Sequence, residues 1–178
     1  MAKRQSLKEL QERLAQRLTA ARSEGVTASW LAVEVGGQRC LLPLVQSGEI
    51  FPWTPVQPVP YTRPWYVGVA NLRGGLFGVI DLAALLNASA GPATSVADRV
   101  TSESRLVSLH TALGVNAVLW VDRLLGLRSG AAFARVDDAP AQAPRWVTRV
   151  LVDAQGDAWQ ELDVQALVND PAFLAIAA

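Results

Sequence analysis

From Trp30 onward the sequence is built of short apolar runs with a period of two, cut every few residues by glycine or proline. Leu31, Val33 and Val35 alternate with Trp30, Ala32 and Glu34, which makes one face of an extended chain apolar. Gly36-Gly37 supplies the positive φ that a two-residue hairpin turn needs, and Cys40-Leu41-Leu42 returns as its partner strand. Pro52, Pro55, Pro58, Pro60 and Pro64 then exclude a helix and limit ladder bonding. The spacing predicts an extended edge or loop there, with Phe51 and Trp53 as apolar anchors.

A short apolar segment over 65–70 leads into Asn71-Leu72-Arg73-Gly74-Gly75, and a strand is expected over 76–80. Asp81 is placed to cap a short helix over Leu82–Leu86, since its side chain can accept from an orphan amide of the first turn. Residues 88–104 are small and polar and read as a surface connection between two lobes. The second half repeats the grammar. Strands are expected over 106–110, 115–121, 146–152 and 158–162, with a loop over 137–144, a turn at Asp153-Ala154-Gln155-Gly156 and a closing helix capped by Asp163. Many short strands with Gly and Pro turns predict a mainly β chain, folded as small closed barrels or a sandwich.

The N-terminal region differs. Residues 6–22 carry a helical stripe of Leu7, Leu10, Leu14, Leu18 and Ala21 behind a Ser6/Glu9 capping box, and Gly25 ends it. That stripe packs either on its own domain or on a partner or second copy. The expected organisation is an amphipathic helix over 1–25 followed by a domain over 29–170.

With 51% hydrophobic and 18% charged residues, the chain of 178 can bury a substantial core. A formal net charge of zero argues against nucleic acid as the main partner. One cysteine, Cys40, excludes an internal disulfide and suits a reducing compartment. No apolar run approaches the ~18 residues of a membrane span, and the charged segment after the N-terminus is unlike a signal core. A soluble, cytoplasmic protein without membrane insertion is expected.

Chemistry is hard to find. His110 is the one histidine, inside an apolar strand pattern, and no Gly-x-Ser-x-Gly elbow accompanies it. One Cys and one His cannot build a zinc site, and the carboxylates lack calcium-loop spacing. The glycine-rich run over 74–78 matches neither a P-loop nor a dinucleotide fingerprint. The six tryptophans, with no basic stripe between them, read as core and interface anchors. No catalytic residue, metal or cofactor is expected.

The order over 41–86 is a strand, Gly48-Glu49-Ile50, a proline-flanked stretch ending at Trp65, Val67-Gly68-Val69-Ala70-Asn71-Leu72-Arg73-Gly74, then Gly78-Val79-Ile80-Asp81-Leu82. This resembles the first lobe of the CheW family, with its G-V-x-N-L-R-G … V-x-D-L signature. The second half is similar more loosely, so the resemblance covers about 29–170. Phe77-Gly78 departs from the Val/Ile-Pro of many members, which bears on the partner surface rather than on the fold. The N-terminal helix, Trp30, Trp53 and Tyr61 resemble the twitching-motility (type IV pilus) adaptors, the PilI group.

The resemblance implies two intertwined five-stranded β-barrel lobes, an added N-terminal helix and short connecting helices. It also implies a non-catalytic adaptor in chemoreceptor arrays at the inner membrane. Its partners would be a CheA-type histidine kinase regulatory domain and the cytoplasmic tip of a methyl-accepting chemoreceptor, with self-association through the N-terminal helix as a further possibility. The partner-binding residues carried over are Leu42, Glu49, Ile50, Asn71, Arg73 and Gly74. Two plainer readings stand beside them: Arg73 pairs internally and holds its turn, and Glu49 is a solvated rim charge. The rivals are a flagellar chemotaxis adaptor and a scaffold that binds only the kinase or itself.

Overall fold

The computed structural model describes residues 12, 15, 16, 28–87 and 95–178. The expected helix over 6–22 lies outside them apart from three helical residues. In chain order the elements are β1 (Ala28–Val35), β2 (Gln38–Pro43), β3 (Ser47–Pro52), β4 (Tyr66–Leu72), β5 (Gly75–Asp81), α1 (Leu82–Leu86), α2 (Val96–Arg99), β6 (Arg105–Leu109), β7 (Ala117–Val121), β8 (Arg123–Ser129), β9 (Phe133–Asp138), β10 (Val147–Asp153), β11 (Ala158–Leu162), α3 (Val164–Val168) and α4 (Pro171–Leu174).

The local signals act as their chemistry dictates. Gly36 and Gly37 take φ of 57° and 77°, the left-handed pair that turns β1 back into β2. Asp81 accepts from the Ala84 amide and Asp163 from the Ala166 amide, so each caps the helix that follows it. The strands form two sheets. The first has six strands in the order β8-β1-β2-β11-β10-β9, and the second has five in the order β3-β6-β7-β5-β4.

Period-two alternation gives each sheet two apolar faces. Leu31, Val33, Cys40 and Leu42 of the first sheet meet Ile80, Val107, Leu119 and Val121 of the second in one shared core. The alternate residues turn the other way. Ala32, Leu41, Leu151 and Trp159 build a small core inside the first sheet, and Ala70, Leu72, Val79, Leu106, Val118 and Trp120 build one inside the second. Each sheet therefore curls around its own core while its outer face packs on its neighbour.

Several expectations need correction. The first sheet has six strands rather than five, and neither ladder closes into a ring. No ladder joins β3 to β4; past β3 the chain makes one antiparallel bridge, Gln57↔Val69, across that gap. The stretch over 88–104 does not connect the lobes. It joins β5 to β6 within the second sheet, and the chain crosses between sheets at Leu44–Gln46 and again at Asp122. Strand β9 carries little apolar alternation, with three charged residues (Arg135, Asp137 and Asp138) among its six, so the sequence pattern does not announce it. His110 is exposed and past the end of β6, where its Nδ1 accepts from the Ala112 amide.

Candidate functional site

Edge strand β3 and the β4–β5 hairpin bring five of the expected site residues together, Glu49 and Ile50 from the strand and Asn71, Arg73 and Gly74 from the hairpin. The register of β3 on β6 shifts between Ser47 and Ile50, which marks a bulge at Gly48-Glu49. There the Glu49 amide donates to the Ser108 hydroxyl at 2.7 Å. A Cβ at Gly48 would lie 2.5 Å from that same oxygen, so the bulge requires glycine. A bulge re-aims the side chain it carries, and Glu49 projects outward, 42% exposed.

The β4–β5 turn is Arg73-Gly74, flanked by the Leu72↔Gly75 pair. Both residues are left-handed, Arg73 at φ 49° and Gly74 at φ 78°. The Asn71 side chain accepts from the Gly74 amide at 3.1 Å and fixes the turn. Arg73 therefore sits in a conformation that costs a non-glycine residue energy, and Asn71 rather than its guanidinium holds the turn. Its side chain is 75% exposed, forms an ion pair with Glu49, and lies 6.0 Å over the Phe51 ring.

Glu49 and Arg73 belong to opposite ends of the five-stranded order, so their pairing spans the same gap as Gln57↔Val69. Ile50 is 38% exposed and Leu76, opposite Asn71 across the hairpin, is 63% exposed. A charged pair with apolar flanks is a surface that can contact a protein partner. Leu42 does not belong to it: it is fully buried in β2 of the other sheet, within the shared core. Its apolar strand position is explained by packing. Gly78 lets the Tyr66 ring lie close, since a Cβ there would sit 2.9 Å from the hydroxyl.

Sequence reasoning missed Arg99. This residue of α2 donates to Asp81 at 2.6 Å and to Asp122 at 3.2 Å, and its guanidinium lies 4.4 Å over the Trp120 ring. The paired carboxylates hold its pKa above the ordinary arginine value despite the opposing effect of burial. Asp122 in turn accepts from the Gly36 amide at 2.6 Å. One guanidinium thus ties the end of β5 to the crossover point and to the β1–β2 turn of the other sheet. Only the three-dimensional fold brings these positions together, so no local spacing announces them.

Among the described residues no group of His, Cys, Asp and Glu side chains could hold a metal ion, and no helix is long and apolar enough to cross a membrane.

Chemotaxis protein CheW of Rhizobium meliloti is 34% identical over 64 residues, which are 36% of this chain and 41% of that protein. Protein PilI of Pseudomonas aeruginosa is 28% identical over 116 residues, 65% of this chain and 61% of PilI. These alignments span less than two thirds of the curated relatives' length. The crystal structure of the scaffolding protein TtCheW from Thermoanaerobacter tengcongensis superposes with a TM-score of 0.60 at 17% identity, covering 77% of this chain and 89% of that one. That likeness is one of fold. The family model described as a CheW-like domain matches residues 29–172, which takes in every strand but the first residue of β1, and the chain belongs to the CheW-like domain family.

Proposed function

We propose that this chain is a non-catalytic adaptor that couples a methyl-accepting chemoreceptor to a CheA-type histidine kinase, within type IV pilus chemosensory signalling at the inner membrane. The observation that carries this reading is the Glu49–Arg73 pair on a bulged edge strand and a left-handed turn. An exposed ion pair contributes little to stability, yet here glycine, asparagine and serine positions all serve to present it. The placement of PilI among the relatives supports the pilus pathway. A cytoplasmic location follows from the same partners. The two curled sheets serve as the two lobes; the segment expected as the first lobe lies mostly in the second sheet, the second lobe, whose gap is bridged at Glu49–Arg73 and Gln57↔Val69.

A flagellar chemotaxis role is the second reading, favoured by the higher identity, over a shorter stretch, to proteins named for chemotaxis. Calorimetric titration with a kinase regulatory domain and with a receptor tip from each pathway tests both. Binding to the kinase domain and to the pilus receptor tip supports the proposal, and preference for the flagellar tip transfers the assignment. Binding to the kinase alone, or to neither, overturns the adaptor reading.

A further inference from the structure

Two features of the second lobe lie at a distance from one another: the exposed Glu49–Arg73 pair and the Arg99 joint between the sheets. Ring contacts, joined at one step by a shared buried cluster, lie between them. Arg99 covers the Trp120 ring at 4.4 Å. Trp120 meets Trp53 with centroids 4.9 Å apart and planes tilted by 53°. Phe51 in β3 and Trp53 just past its end pack on the same buried cluster. Arg73 lies over Phe51 at 6.0 Å. Each end of this column is capped by a cation, and each cation is held by a carboxylate.

Trp120 is fully buried, and its indole N–H is the one buried side-chain polar atom among the described residues that lacks an acceptor. An unsatisfied buried donor costs free energy, so the ring is held there by packing and by the cation above it rather than by its own hydrogen bond. Such a ring can shift without first breaking a hydrogen bond. Interiors this dense pass small displacements on to their neighbours.

We propose that this aromatic column couples the Glu49–Arg73 surface to the joint between the sheets, so that engagement of Arg73 by a partner alters the hold of Arg99 on Asp122 and of Asp122 on Gly36. The column would make Arg99 a positioning residue for the partner site, and coupling of this kind acts equally in both directions. That a partner engages Arg73 rests on the adaptor reading; the coupling itself does not.

The test uses the full chain, labelled for NMR. R73G removes the guanidinium while glycine keeps the left-handed turn. It is expected to speed exchange of the Gly36 amide by roughly threefold or more and to move the Trp120 indole resonance. In a W53L background, or W53F if leucine prevents folding, the same change at Arg73 should leave both signals still. An unmoved Gly36 amide in R73G overturns the coupling, and a response that survives loss of Trp53 overturns the column as its path. Saturation with the kinase regulatory domain should move the same two signals. A failure of that domain to bind counts against the adaptor reading alone, because the R73G comparison needs no partner.

Discussion

Gly68 and Gln57 lie so close that a Cβ on Gly68 would sit 2.1 Å from the Gln57 carbonyl oxygen. The two segments exchange hydrogen bonds here, Gln57 N–H to Val69 O at 2.8 Å and Val69 N–H to Gln57 O at 2.9 Å. Gly68 is therefore what allows the proline-rich stretch to lie along β4. Gly68→Ala should cost about 3 kcal/mol through overpacking against rigid backbone. Calorimetry should show a melting temperature lowered by roughly 6–12 °C for a chain of this size.

The Arg99 joint makes a different prediction. Asp81 is 2% exposed, and Arg99→Met would leave its carboxylate buried without a cation. Breaking a buried pair by removing one partner costs about 3 kcal/mol or more. Combining Arg99→Met with Asp81→Asn should recover part of that loss, because asparagine keeps an acceptor for the Ala84 amide without the charge. Chemical denaturation of the single and double variants checks the sign of the coupling.

At the exposed pair the expectation reverses: large on binding and small on stability. Arg73→Gly removes an exposed ion pair, worth at most about 1 kcal/mol, and relieves the backbone strain at φ 49°. Stability should stay close to the parent. Affinity for the kinase domain or the receptor tip should fall by about 2 kcal/mol, as for an interface anchor. Titration calorimetry beside a melting curve separates the two effects.

Cys40 is fully buried in β2, and burial pushes its thiol up from the ordinary 9.0 to about 12. The folded state therefore binds this proton more tightly than the unfolded chain does. Its contribution to stability is complete below pH 9.0 and is lost as pH rises from there toward about 12. Modification by a thiol reagent at pH 8 should be slow in buffer and fast in denaturant, and a Cys40→Ala variant should lose stability less steeply above pH 9.0.

These features differ in how far the sequence alone discloses them. The Gly36-Gly37 turn and the caps Asp81 and Asp163 are legible because each acts on amides a few residues away. The Asn71-Leu72-Arg73-Gly74 turn is readable for the same reason, although the identity of Arg73's partner is not. Glu49 and Arg99 find their partners across the fold, and Leu42 has the apolar character of a contact residue without being exposed. The polar, small residues over 88–104 mark a surface connection but do not disclose which two strands it joins. Strand β9 draws its place from pairing with β10, since its own residues are mostly exposed.

The second sheet is continuous in sequence from β3 to β7, whereas the first combines β1 and β2 with β8 to β11. Emerging from the ribosome, the second lobe has all its strands once Val121 has appeared. The β1–β2 hairpin must then wait, its β2 edge open, until β11 arrives to lie parallel to it at Cys40 and Leu41. Chains fold broadly in the order they are made. A stalled or truncated product ending just before Ala158 would thus carry one finished lobe and the unpaired edges of β2 and β10, the form most open to capture by chaperones or to aggregation.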